Sequence, residues 1–249
     1  MEKIIRPHEV FCGSLPVACH GSGLRPDFER VKWTIQAVTF DVGGTLIEPW
    51  PSVGHVYAEV AARFGVRREP ELLTRQFRAA WKSRRGFDYS REAWFDLVRR
   101  SFGESAALPE EFFPAVYERF AEPDAWHVFD DVLPALEMLA SRGVRLAVIS
   151  NWDERLEPLL RRLRLQPFFE TITVSCDVGF TKPSSVIFEH ALRQLSLEAG
   201  AVLHVGDSVR EDSEGARAAG IEAMLVDRAE GKSPPGTIRA LSELAALVG

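Results

Sequence analysis

Residues 52–122 carry apolar side chains at helical spacing and show no strand pattern. They interrupt a chain that otherwise alternates strands with helices, and this interruption constrains the fold more than any other feature. Before it, the β-rich run Ile35 to Phe40 ends on Asp41 and passes at once into a Gly-Gly-Thr turn. After it, DVLPALEMLASRG reads as a helix stopped by Gly143, VRLAVIS as a buried strand and DERLEPLLRRLRL as a helix. FFETITVS contains a strand, SVIFEHALRQLS is a helix, AVLHVGD a strand, SEGARAAG a helix with a Gly stop, IEAMLVD a strand and TIRALSELAALV a closing helix. Strands alternating with helices imply a parallel sheet covered on both faces. The expected fold is α/β: a Rossmann-like parallel-sheet core over residues 31–50 and 124–249, with a small all-helical cap of about four helices, 51–123, inserted after the first strand. Residues 1–30 lack sustained periodicity and read as an N-terminal arm or poorly ordered extension. Val31 is a candidate native start, which N-terminal sequencing of the native protein would decide.

Composition excludes several classes of function. A net charge of −6 and a pI near 5.6 do not suit a nucleic-acid binder. No apolar run approaches the roughly 20 residues that span a bilayer, and residues 1–30 lack the apolar stretch of a secretory signal. The three cysteines, Cys12, Cys19 and Cys176, suit a reducing cytoplasm, and Cys12, Cys19 and His20 match no common zinc spacing. The expected partner is a small molecule, with no nucleic acid and no membrane, acted on by a cytoplasmic monomer or homodimer.

Four segments carry chemistry. Asp41 stands where a strand ends, the position at which open α/β sheets bind ligands, and a carboxylate there can attack phosphorus. An Asp capping its own turn is the plainer alternative. Thr45 can orient Asp41 or contact phosphate, or merely stabilise the turn. Ser150 and Asn151 end the strand RLAVIS and can hold a phosphoryl oxygen or cap the next helix. Lys182 is one of five lysines among 30 basic residues, and in GFTKP it can neutralise both a carboxylate and phosphate oxygens. Asp207 and Asp212, in GDSVRED, join Asp41 as oxygen ligands for a hard cation, for which Mg²⁺ fits best. Asp207 is the expected direct ligand, Asp212 holds a bound water or Lys182, and Glu211 reads as a solvated neighbour.

Asp41-Val-Gly-Gly-Thr45, Ser150-Asn151, Lys182-Pro and Gly206-Asp207 with Asp212 resemble, in order and spacing, motifs one to four of the haloacid dehalogenase-like hydrolase superfamily. The resemblance spans residues 35–228, and the helical insertion is similar to that superfamily's small cap. It implies a Mg²⁺-dependent hydrolase, first of all a phosphatase of a small phosphorylated metabolite working through an aspartyl-phosphate. One position departs from the pattern. The superfamily's phosphatases carry Asp-x-Asp in motif one, the second Asp serving as general acid and base. Here that position is Gly43, whose carbonyl can still bind the metal but which cannot transfer a proton.

Three consequences follow from Gly43. A replacement acid exists, with Glu48, His55 and Asp153 as candidates, although each also reads as an ordinary flap, cap-helix or helix-capping residue. Alternatively the substrate has a leaving group that needs little protonation, such as an acyl or aryl phosphate. Alternatively the chain is a phosphate-binding or interaction protein with degraded catalysis. Two lesser readings come from relatives that also lack the second Asp. A haloacid dehalogenase-like activity is opposed by the intact Asp207 and Asp212, and a phosphonoacetaldehyde hydrolase-like activity would need Lys82 as a Schiff base. In the cap, Phe77, Trp81, Phe87, Tyr89, Trp94 and Phe95 accompany Arg78, Arg84, Arg85 and Arg91. They read as a substrate lid or, more plainly, as the cap's own core, Phe77 and Trp81 lying four apart on one helical face.

Overall fold

The computed structural model describes residues 35–103, 108–228 and 236–248. The N-terminal extension, with Cys12, Cys19, His20 and Val31, lies outside the described residues. In chain order the strands are β1 (Ala37–Phe40), β2 (Ile47–Pro49), β3 (Trp126–Val128), β4 (Arg145–Ser150), β5 (Thr171–Val174), β6 (Val202–Gly206), β7 (Glu222–Val226) and β8 (Thr237–Ile238). The α-helices are α1 (Val53–Arg63), α2 (Pro70–Lys82), α3 (Arg91–Phe102), α4 (Phe112–Arg119), α5 (Val132–Ser141), α6 (Leu156–Arg162), α7 (Ser175–Val178), α8 (Ser185–Leu195) and α9 (Gly215–Ala218). Among the described residues, no helix is long and apolar enough to cross a membrane.

Six strands form one parallel sheet in the order β5-β4-β1-β6-β7-β8. The fold is the expected α/β class, a Rossmann-like parallel sheet with an inserted helical cap. Alternation along each strand divides the core. Val38, Phe40, Leu146, Val148, Leu203 and Val205 face one side, where α5 and α6 cover them. Ala37, Ala147, Ile149 and Val202 face the other, against α8 and α9. Full burial of each large apolar side chain contributes roughly 1.5–3 kcal/mol relative to exposure. The chain leaves β1 first toward β4 and β5, then returns to its other side as β6 and β7. The C-terminal ends of β4, β1 and β6 therefore meet at a switch point, where such sheets open a crevice.

β2 and β3 pair antiparallel, Ile47 opposite Val128, and frame the insertion at both ends. Between them α1 to α4 pack around Tyr57, Val60, Leu73, Val98, Phe102 and Phe112. Local sequence starts these helices: Ser52 accepts a hydrogen bond from the His55 amide, Ser90 accepts from the Ala93 amide, and Pro70 opens α2.

Two elements differ from the sequence reading. TIRALSELAALV does not close as an α-helix: Thr237 and Ile238 pair with Leu225 and Val226 of β7, and a 3₁₀ segment, Leu241–Ala246, follows. Docking at the sheet edge satisfies the backbone, while Leu241, Leu244 and Val248 still reach the core. SEGARAAG is helical only from Gly215, because Val209–Glu214 forms a wider π-type turn that carries Asp212.

Candidate active site

Asp41 begins where β1 stops, its amide donating to Val205 O at 2.9 Å. Its Oδ1 accepts hydrogen bonds from Ser150 Oγ at 3.0 Å and Lys182 Nζ at 2.7 Å. Thr45 Oγ1 donates to Oδ2 at 3.4 Å. Lys182 Nζ also donates to Ile149 O at 3.0 Å and Asp212 Oδ1 at 2.5 Å, so every ammonium hydrogen has an acceptor. Asn151 fastens this lysine from behind. Its Nδ2 donates to Lys182 O at 3.0 Å, and its Oδ1 accepts from the Lys182 amide at 2.6 Å. The amide side chain of Asn151 is thus committed to the lysine loop, and any phosphate contact from this residue falls to its backbone.

Asp207 follows β6, and close approach dictates the residues around it. Gly44 has φ +83°, and a Cβ there would stand 2.5 Å from Asp207 Oδ2. A Cβ on Gly206 would lie 2.1 Å from Asp212 Cγ. Asp212 is oriented on both oxygens: Oδ2 accepts from the Ser208 amide at 2.9 Å, and Oδ1 meets Lys182 and His204 Nε2, the latter at 3.1 Å. His204 was not singled out from sequence. It lies in β6 opposite Thr39 of β1, and the Thr39 hydroxyl meets Nδ1 at 2.9 Å. Burial pushes its pKa down, so the ring is neutral, with the proton on Nε2 facing Asp212 and Nδ1 accepting from Thr39. A lone His inside the apolar strand AVLHVGD was the available signal.

Electrostatics couple these groups. Burial raises the pKa of Asp41, and the charge of Asp212 adds to this, while Lys182 opposes both. Burial alone would lower Lys182, but Asp212 and Asp41 outweigh it and hold the ammonium well above its ordinary range. Burial would raise Asp212, but Lys182 and His204 outweigh it and hold that carboxyl well below the usual range. Asp207 retains exposed surface, yet enclosure by surrounding groups, with the charges of Asp41 and Asp212, pushes it up to about 8. Carboxylate oxygens of Asp41, Asp207 and Asp212 lie within 4.8 Å of one another. Three carboxylates against one ammonium leave −2 when all are ionised, which one divalent cation balances. The all-oxygen donor set suits a hard ion.

Above this cluster is a cavity of about 570 Å³, shared by core and cap. Its walls include Trp81, Tyr89 and Trp94 from the cap and Trp126, Trp152 and Gly43 nearer the sheet. Phe77 and Phe95 also reach the cavity, so these cap aromatics do more than fill the cap core, whereas Phe87 packs behind against Tyr89 and Trp94. Of the cap arginines singled out above, Arg84 lines the cavity, and Arg78, Arg85 and Arg91 do not. Arg84 stacks on Trp81 at 3.5 Å and pairs with Glu211 at 2.9 Å. Glu211 is therefore part-buried and ion-paired, not solvated, and it also accepts from Asn151 Nδ2 at 3.3 Å.

The expected replacement acids stand elsewhere. Glu48 faces His127 across the β2–β3 ribbon at 3.7 Å, His55 meets Ser52 at 2.9 Å, and Asp153 pairs with Arg155 at 2.5 Å. None of the three lines the cavity. Lys82, the lysine a Schiff-base reading requires, is exposed and also away from it.

A carboxylate at a strand tip, a lysine bridging two acids, and a capped cavity define a hydrolase site on a Rossmann-like core. The haloacid dehalogenase-like hydrolase family model matches residues 35–220, and the chain belongs to that family. The human haloacid dehalogenase-like hydrolase domain-containing protein 3 is 34% identical over 205 residues, covering 77% of this chain and 82% of the human one. Among solved structures, a HAD phosphatase from Thermococcus onnurineus superposes with TM-score 0.62 at 24% identity, covering 86% of this chain and 98% of that one. A 2-haloacid dehalogenase from Pseudomonas syringae superposes with TM-score 0.61 at 25% identity, covering 86% and 97%. Since one fold carries both reactions, the reaction must be argued from the site.

Proposed function

We propose that the chain is a Mg²⁺-dependent phosphatase that works through an aspartyl-phosphate on Asp41. The carrying observation is Lys182 Nζ, buried between Asp41 Oδ1 and Asp212 Oδ1 at 2.7 and 2.5 Å, beside an acid cluster with an excess charge of −2. A C–halogen displacement has no use for that excess charge, whereas phosphoryl transfer does. Asp41, Asp207, Asp212 and the Gly43 carbonyl would hold the cation, which when bound neutralises charge on the carboxylate and the phosphoryl group.

The residues divide the remaining work. Asp41 Oδ attacks phosphorus, Lys182 favours the ionised form of that carboxylate against the effect of burial and faces the phosphoryl oxygens, and Ser150, Thr45 and the Asn151 backbone steady them. His204 is a positioning residue, fixing Asp212 through Nε2. In this reading the helical unit 51–123 closes over a core made of 31–50 and 124–249.

Mg²⁺-dependent hydrolysis of p-nitrophenyl phosphate and acetyl phosphate is the expected result. Alkyl phosphates should be slower by about 10²–10⁴, the usual worth of general acid catalysis. Turnover of none of them, with inorganic phosphate still bound, would overturn the phosphatase reading in favour of a binding protein, the alternative that Gly43 supports.

A second result concerns metal and pH. Asp207, raised to about 8, and Asp41, also raised, prefer their protons in the folded state. Stability from this preference is complete at low pH and is lost as pH rises from about 4 to about 8. A cation replaces the proton, so Mg²⁺ should raise the melting temperature more at pH 8.0 than at pH 5.5, relative to EDTA. Equal shifts in calorimetry at both pH values would contradict this assignment of the acid cluster.

A further inference from the structure

We infer that the substrate is an aryl phosphate, the ester of a phenol-type hydroxyl on a flat, uncharged body of one or two rings. This deepens the phosphatase reading and rests on it. Three independent features of the cavity converge on that class.

The first is the lack of an acidic side chain at position 43, beside the nucleophile. Gly43 lines the cavity, and a Cβ built on it would lie 3.2 Å from Trp152 Cζ3. A side chain at position 43 would thus press on the indole, which would have to give by a few tenths of an ångström. Among the described lining residues, Glu211 is tied to Arg84 at 2.9 Å and the Tyr117 hydroxyl donates to Glu154 at 2.9 Å. With no carboxyl side chain at position 43, a leaving oxygen that departs as a stable anion suits the site best. A phenol, with a pKa near 10, does so far more readily than an alkyl alcohol.

The second feature is the wall. Trp152 packs against Trp126 with ring centroids 5.2 Å apart, and its backbone is held on both sides by Ser175 Oγ, each bond 3.0 Å. Phe77, Trp81 and Trp94 form a stack with centroid spacings of 5.9 and 5.8 Å and interplanar angles of 21° and 13°. Tyr89 meets Trp81 and Trp94 edge-on, at 79° and 75°, from a left-handed backbone, φ 63°, an uncommon conformation for a non-glycine residue. Rigid indoles beside the reaction centre offer faces for stacking. The cavity volume of about 570 Å³ is that of a small-molecule site.

The third feature is charge. The guanidinium groups on the wall are already engaged, Arg84 by Glu211 at 2.9 Å and Arg155 by Asp153 at 2.5 Å. A second phosphate or a carboxylate on the substrate would enter without a counter-charge.

The reaction balances without a protein acid. The Asp41 carboxylate forms a bond to phosphorus as the P–O(aryl) bond breaks, and the phenolate leaves with the electron pair. Water then attacks the aspartyl-phosphate, releasing phosphate, the Asp41 carboxylate and a proton, and the phenolate takes up one proton. The net change is aryl phosphate plus water to phenol plus hydrogen phosphate.

The test compares 2-naphthyl, cyclohexyl and acetyl phosphate on the full chain with Mg²⁺. Naphthyl phosphate should exceed cyclohexyl phosphate in kcat/KM by about 10²–10⁴. Trp152→Ala should lower the naphthyl-to-acetyl ratio of kcat/KM about tenfold, chiefly through KM, and Trp152→Phe should recover most of it. Equal turnover of cyclohexyl and naphthyl phosphates by the wild type, which needs no variant to fold, overturns the inference. So does an unchanged ratio in Trp152→Ala. If acetyl phosphate is hydrolysed without any aryl preference, this inference falls and the phosphatase reading stands. If acetyl phosphate is not hydrolysed either, the phosphatase reading itself falls.

Discussion

Asp41→Asn is expected to lower kcat/KM for activated phosphates by on the order of 10⁴ or more, while the protein stays folded. The amide keeps the shape of the side chain but cannot attack phosphorus. Its oxygen can still accept from Lys182, and Lys182 keeps Asp212 at 2.5 Å, so no buried charge is left alone. Because burial and Asp212 both raise the pKa of Asp41, its ionised carboxylate carries a cost that the amide does not. The melting temperature in EDTA at pH 7.5 should therefore equal or exceed that of the wild type. Acid-quenched protein should retain phosphate label from substrate in the wild type and none in the variant. Substantial residual turnover by Asp41→Asn would place the nucleophile elsewhere.

Lys182→Met should do the opposite, damaging stability as well as activity. It leaves Asp41 and Asp212 buried without their cation, a loss of about 3–5 kcal/mol, or roughly 6–20 °C in melting temperature for a domain of this size. The pH dependence identifies the cause. In the wild type the depressed pKa of Asp212 makes its contribution complete above about pH 4, and it is lost only as pH falls further. The raised pKa of Lys182 keeps its share until strongly alkaline pH. Without the lysine both carboxyls prefer to be protonated, so the variant recovers as pH falls. The deficit relative to wild type, read from urea unfolding in EDTA, should be largest near pH 8 and narrower at pH 5. A deficit that does not change with pH would mean that Lys182 stabilises by packing alone.

Both expectations rest on a cluster whose positions were readable locally. Asp41, Ser150 and Asp207 sit at strand ends because apolar runs of strand length stop at Gly, Ser or Asp, a signal contained in a few neighbouring residues. Lys182 was conspicuous by its rarity and its proline. The partners of these residues were not readable in the same way. Thr39 and His204 are 165 positions apart and meet only because β1 and β6 are sheet neighbours in a particular register. The side chain of Asn151 follows a good phosphate-binding position in sequence, yet it turns back to hold the Lys182 backbone. Glu211 reads as one more surface acid until the cap delivers Arg84 to it. Strands as short as β2, β3 and β8 have too few residues to show a period, so pairing with a neighbour defines them.

The sequence by itself determined the α/β class, the inserted helical cap and which residue types stand at the strand tips. Periodicity and glycine punctuation are local, and they act before any tertiary contact exists. Only the tertiary structure decided what surrounds those tips. The sheet order brought Lys182 between two acids, and the closure of cap on core paired Arg84 with Glu211. The same packing set Trp152 close against Gly43, 3.2 Å from where a Cβ would stand. Charge balance and cavity shape are sums over groups distant in the chain, and no window of sequence contains them.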